Sequence, residues 1–154
     1  MRQSTLCLLV RGDPPTEVLL GFKKAGFGAG KYTGFGGKVE ASDTVAQAAV
    51  REMQEETGVT VAVKELEKVG ELTFVFPSRP LWSQEVHVFL AHSWRGEAVE
   101  GREMRPVWFS VARLPYEEMW EDGATWLPRV LAGDRIQATF TFRADNETID
   151  RVEV

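Results

Sequence analysis

The chain lacks most of what staples small secreted domains together. Cys7 is its single cysteine, so no internal disulfide can form and a reducing compartment is the expected setting. No apolar run approaches the roughly 20 residues a membrane-spanning helix needs. The first residues carry no cleavable leader pattern, so a cytoplasmic location is expected, with no membrane partner. Basic residues are also in short supply. The 18 Lys and Arg are outnumbered by 23 Asp and Glu, giving a net charge of −5. That argues against duplex nucleic acid as a partner, because such binding rests on clustered cations neutralising phosphates. A small phosphorylated ligand stays admissible if basic side chains, backbone N–H groups or divalent cations compensate its charge locally. The only two histidines, His87 and His92, lie in or just after one apolar run, and neither is assigned a role.

What is present reads as one domain spanning residues 1–154, 44% hydrophobic and 27% charged, large enough to bury a core without staples. It shows no internal repeat, linker or low-complexity tract, and a monomer is expected. Strands are expected over residues 4–10, 17–24, 71–77, 85–92, 106–111 and 138–144, from their alternating or continuous apolar patterns. Residues 116–133 look helical but interrupted, because Gly123 and Pro128 should break continuity. Strands with two helical segments placed apart in sequence indicate an α/β protein with a mixed sheet between helices.

The most informative helix is expected over residues 44–57, where Thr44 and Gln47 fit a capping box and Gly58 supplies the stop. On a helical wheel Gln47, Arg51 and Gln54 form the wet face. Glu52, Glu55 and Glu56 fall with Val45, Ala48 and Ala49 on the side of the core. An ordinary solvated helix, with an Arg51–Glu55 pair four residues apart, is the plain alternative. It fits poorly, because like charges on an inward stripe near a helix C-terminus oppose the macrodipole and each other. Hard oxygen ligands gathered on one helical turn suit Mg²⁺, with Mn²⁺ as the alternative.

Upstream, residues 25–37 are dense in glycine, which suits close backbone approach to a ligand. Neither phosphate-loop template fits. Both Gly-Lys pairs lack the following Ser or Thr, and position 31 is not the glycine that GxGxxG requires. A glycine-flanked strand leading into an acidic helix remains, with Gly36 and Gly37 as candidate backbone contacts to a metal ion or phosphate.

Together these residues resemble the Nudix box, G-x5-E-x7-R-E-U-x-E-E-x-G-U, where U is bulky and aliphatic. The match runs from residue 37 to 59 through Gly37, Arg51, Glu52, Met53, Glu55, Glu56, Gly58 and Val59. Asp43 stands where the box has its first Glu. The segments "VLLGFKKAGFGAGKYTGFGGKV", "VHVF", "EMRPVWF" and "MWEDGATWLP" extend the likeness to the MutT-homolog branch, which hydrolyses oxidised purine nucleoside triphosphates such as 8-oxo-dGTP. The resemblance implies an α/β/α sandwich and a Mg²⁺-dependent pyrophosphohydrolase releasing a nucleoside monophosphate and pyrophosphate. It implies metal ligation by Glu52, Glu55, Glu56 and the Gly36 carbonyl, with Glu103 as a further acid. Glu56, with Glu52 as rival, would take the proton from the attacking water, and Arg51 would orient the box carboxylates.

For the substrate, the resemblance implies contacts from Leu8, Lys23, Phe27, Thr33 and Phe35, and from Gly36, Gly37 and Lys38. It adds an aromatic set, Phe74, Phe76, Trp120, Trp126 and Phe142, with Asp122 at the base edge. Thr33 replaces a family asparagine and Gly123 a second pocket acid, which leaves the preferred base open. Two other readings stand beside this one: a Nudix hydrolase of another nucleoside diphosphate, such as a dinucleotide, nucleotide sugar or RNA cap, and a nucleotide-binding module without turnover.

Overall fold

In a computed structural model covering residues 1–154, the elements follow the order β1 (Arg2–Arg11), β2 (Glu17–Lys23), β3 (Tyr32–Thr33), α1 (Val45–Thr57), β4 (Leu66–Val75), β5 (Gln84–Ala91), β6 (Met104–Ser110), α2 (Gly123–Leu131), β7 (Ile136–Phe142) and β8 (Ile149–Glu153). Strands run β3-β2-β1-β5-β4-β7-β8 across the sheet, with β6 on the other side of β2. The β1–β5 and β4–β7 pairs are parallel and the remaining pairs antiparallel, so the sheet is mixed as expected.

Period-two alternation along β1 divides the core. Leu8 and Val10 join the larger apolar cluster beneath α2, with Leu72, Phe140, Leu127 and Val130. Cys7 and Leu9 join a smaller one beneath α1, with Met53, Phe35 and Met104. Helices therefore cover opposite faces of the sheet, the expected sandwich. No helix is long and apolar enough to cross a membrane.

Three sequence expectations need correction. Gly123 does not interrupt a helix but begins α2, and Pro128 lies inside it. Pro128 has no N–H to donate to the Ala124 carbonyl, and both residues are exposed, so water can satisfy that carbonyl. The strand expected to start at residue 71 begins at Leu66, its first half disguised by Glu67, Lys68 and a bulge between Lys68 and Gly70. β8 was not expected, because Asp150, Arg151 and Glu153 give it the charged character of an exposed edge strand.

One irregularity of the sheet positions the glycine segment. β1 and β2 pair at only two positions, Val10 with Val18 and Arg11 with Glu17, and then diverge. The glycine segment fills the wedge, bridging Cys7 to Phe35 and Ser4 to Lys38.

Candidate active site

The wedge needs glycine for steric reasons. A Cβ on Gly36 would lie 1.7 Å from the Thr5 carbonyl oxygen, and one on Gly37 would lie 2.7 Å from the Glu52 carboxyl group. Backbone bonds lock the segment to β1: Thr5 N–H donates to the Gly37 carbonyl at 2.9 Å, and Val39 N–H to the Gln3 carbonyl at 2.9 Å. Just before them in the chain, the Gly36 carbonyl accepts no hydrogen bond, while the Gly36 N–H donates to Glu56 Oε1 at 2.8 Å. The segment thus presents one free oxygen beside a fixed carboxylate.

α1 delivers that carboxylate. Thr44 and Gln47 form the reciprocal capping box, and Gly58 closes the helix in the left-handed conformation at φ 80°. Ala48, Ala49 and Met53 are buried against the sheet, which brings Glu52 and Glu56 to the wedge. Their electrostatics differ. Arg51 Nη1 donates to Glu52 Oε1 at 3.0 Å, and Arg51 Nη2 to Asp43 Oδ2 at 2.8 Å. Asp43 therefore still reaches Arg51 despite being one methylene shorter than the Glu of the box. The bond to Asp43 leads in raising the Arg51 guanidinium above its already high value. Burial raises the Glu52 carboxyl even so. Glu56 has no cation in hydrogen-bond contact. Burial, opposed by the Gly36 N–H and reinforced by the Glu52 charge, pushes it up to about 8.

Glu55 departs from the wheel. Its side chain is 59% exposed and lies 3.6 Å from Arg51, at the outer rim of the helix. There its charge stays solvated beside Arg51 and avoids the desolvation that an inward orientation would cost. Glu103 is exposed but close enough to add to the upward push on Glu56. No three acidic or imidazole side chains close around one point. The donor set is therefore open: two crowded, partly desolvated carboxylates, only one of them paired with a cation, and a free carbonyl. That chemistry fits a divalent cation that keeps several waters and shares phosphate oxygens.

Glu56 also lines a cleft of about 290 Å³ on the α2 side of the sheet. Its polar end carries Lys23, Lys38, Gly36 and Gly37, and its apolar end Phe74, Phe76, Trp120, Trp126 and Phe142. Phe27, 45% exposed, stacks on Trp120 with ring centroids 5.3 Å apart. Asp122 sits among these rings, 6% exposed, and burial lifts its carboxyl to about 6. A carboxylate cluster at one end of a cleft and an aromatic box at the other suit a ligand with charge at one end and a flat ring at the other.

The sequence profile of the NUDIX domain matches residues 1–130. The chain belongs to the Nudix family. It is 42% identical over 150 residues to the oxidized purine nucleoside triphosphate hydrolase of Danio rerio, covering 97% of this chain and 94% of that one. The Mus musculus protein of the same description is 41% identical over 149 residues, covering 97% and 93%. Among solved structures, a MutT protein from Bacillus halodurans superposes with a TM-score of 0.77 at 26% identity, over 99% of this chain and 97% of that one.

Within this Nudix domain the cleft gathers Thr33 and the other expected substrate contacts, with two exceptions. Phe35 is wholly buried in the α1-side cluster with Met53 and Met104, because the strand alternation that aims Gly36 at the wedge turns residue 35 the other way. Leu8 is wholly buried in the α2-side core and does not reach the cleft wall. Sequence reasoning missed Arg2, Gln84 and Met119, which also line the cleft. Arg2 and Gln84 face each other across the parallel β1–β5 register, a pairing over 80 residues apart that no local motif announces.

Proposed function

We propose that this protein is a divalent-metal-dependent pyrophosphohydrolase acting on oxidised purine nucleoside triphosphates such as 8-oxo-dGTP, releasing the monophosphate and pyrophosphate. The observation that carries this reading is Glu56, a half-buried carboxylate without a cationic partner, at the polar end of a cleft whose other end is aromatic. The zebrafish and mouse relatives support the substrate class.

Glu52, Glu56, the Gly36 carbonyl and, nearer solvent, Glu55 and Glu103 would hold the cation. When bound, Mg²⁺ or Mn²⁺ supplies charge compensation for the polyphosphate and acidifies the attacking water. The chain's own groups do the rest. Lys23 and Lys38 attract the phosphates at the polar end. Phe27 and Trp120 present ring faces to the base, and Asp122 offers its carboxylate to the base edge. Glu56 accepts the proton of the attacking water, an assignment favoured over Glu52 because Arg51 already occupies the Glu52 oxygen. Arg51 acts as a positioning residue, tying Asp43 and Glu52 together.

The test is pyrophosphate release from a panel of oxidised and unmodified purine triphosphates, with Mg²⁺ and with chelator. Metal-dependent turnover with preference for an oxidised purine is expected. Absence of turnover on every triphosphate would refute the reading. Preference for another nucleoside diphosphate derivative would favour the second reading, motivated by Thr33 and by Gly123, which leaves Asp122 and Glu56 as the only acids lining the cleft.

A further inference from the structure

Asp122 immediately precedes α2, where an aspartate ordinarily accepts a hydrogen bond from the second or third helical N–H and stabilises the helix start. Here it makes no such bond, and its own backbone is already helical at φ −62° and ψ −27°. The side chain turns inward along the helix instead. Its Oδ2 accepts the indole N–H of Trp126, one turn later, at 2.7 Å. Both residues are buried, Asp122 at 6% and Trp126 at 3% exposure, and both line the cleft. The helix forgoes a cap worth about 1 kcal/mol, and a carboxylate is held in an apolar wall with no cation bonded to it. Stability of α2 does not explain that arrangement. Fixing the rotation of a carboxylate that lines the cleft does.

We propose that Trp126 is a positioning residue for base recognition: its indole N–H anchors Asp122 Oδ2 and presents Oδ1 to the edge of the bound purine. This deepens the proposed function and rests on Asp122 reading the base. Trp126 is more than apolar wall, because one of its atoms sets the rotation of the group that reads the ligand. A phenylalanine at 126 would keep most of the packed ring but lose the donor, so Asp122 would turn freely or swing out to cap α2.

The test is a double-mutant cycle of Trp126→Phe and Asp122→Ala, read as KM and kcat for 8-oxo-dGTP with Mg²⁺. Trp126→Phe alone is expected to raise KM about tenfold, the worth of one buried hydrogen bond to a charged group, with kcat within twofold. In the Asp122→Ala background the same substitution should change KM less than twofold, since the group it acts through is gone. Equal effects in both backgrounds would make Trp126 a packing residue and overturn the proposal. An Asp122→Ala enzyme with unchanged KM would instead remove Asp122 from base reading, a separate failure belonging to the proposed function. Should Trp126→Phe not fold, the parent protein carries the test. One of its five indole N–H resonances should be protected from solvent exchange, and Asp122→Asn should shift it. Five unprotected resonances would end the proposal.

Discussion

Replacing Glu56 by Gln tests the central electrostatic claim through stability as well as rate. Gln keeps the shape of the side chain and can still accept the Gly36 N–H through its own Oε1, but it carries no charge. In the folded protein burial raises the Glu56 carboxyl to about 8 from its ordinary value near 4.5. The native state therefore holds a proton that the unfolded chain releases in that interval. Stability from this group is complete below about 4.5 and is lost as pH rises through about 8. Linkage sets the maximum slope at about 1.4 kcal/mol per pH unit. Water and counter-ions reaching a carboxylate on an open cleft reduce the total to roughly 1–2 kcal/mol. Without metal ion, Glu56→Gln should thus melt about 3–6 °C above the parent at pH 8.5, and the two should coincide near pH 5.

Mg²⁺ should reverse that order. A cation that replaces the proton stabilises the parent at pH 8.5 and progressively less toward pH 5.5, where protons compete for the same oxygens. The Gln variant should gain little at either pH, and its kcat should fall by at least about a hundredfold. Melting curves at the two pH values, with Mg²⁺ and with chelator, give the four comparisons. A Gln variant no more stable than the parent at pH 8.5, or equal Mg²⁺ stabilisation of both proteins, would refute the reasoning.

Substitutions at four further positions probe the remaining parts of the site. Arg51→Ala leaves Asp43 and Glu52 without their shared partner, so thermal melts should show a loss of about 1–2 kcal/mol and initial rates a fall of at least about tenfold; Arg51→Lys, which lacks the guanidinium fork, should recover only part of either. Gly36→Ala and Gly37→Ala should separate stability from turnover. The first drives a Cβ against the Thr5 backbone and should cost roughly 3 kcal/mol or more, whereas the second first meets the Glu52 carboxyl, the end of a side chain that can shift, and should fold while kcat falls. Phe27→Ala removes the ring stacked on Trp120 and should raise KM for a purine triphosphate about fivefold with kcat preserved, given about 1 kcal/mol for an aromatic pair; an unchanged KM would exclude Phe27 from base binding.

Local order in the sequence made the acidic helix legible. Capping by Thr44 and Gln47, termination at Gly58 and the placement of Glu52 and Glu56 near the core all follow from spacing within a few turns. Glu55 was misplaced because a wheel assigns every side chain a fixed direction. A long flexible carboxylate on the boundary of the stripe goes instead to whichever cation is nearest, here Arg51. Phe35, placed in the pocket by the resemblance, turns away because its bridge to Cys7 on β1 sets its face, a partner that local spacing does not announce. The aromatic end of the cleft collects side chains from β4, α2, β7 and the loop after β2, so its membership depends on sheet order. Composition offered aromatic residues in plenty, and only the resemblance separated pocket rings from core rings.

The distribution of positive charge sets two neighbouring glutamates apart. Arg51 is one cation serving Asp43, Glu52 and Glu55, and it stops short of Glu56. Lys23 acts on Glu56 only at a distance, and weaker than the upward pushes from burial and Glu52. Glu52 is thereby held and partly compensated, while Glu56 is left with a backbone N–H and an excess of nearby negative charge. A site built for stability alone would have placed the arginine between them. Keeping Glu56 uncompensated makes it the carboxylate with most to gain from a cation or a proton. Both of those are what phosphoanhydride hydrolysis brings to the wedge.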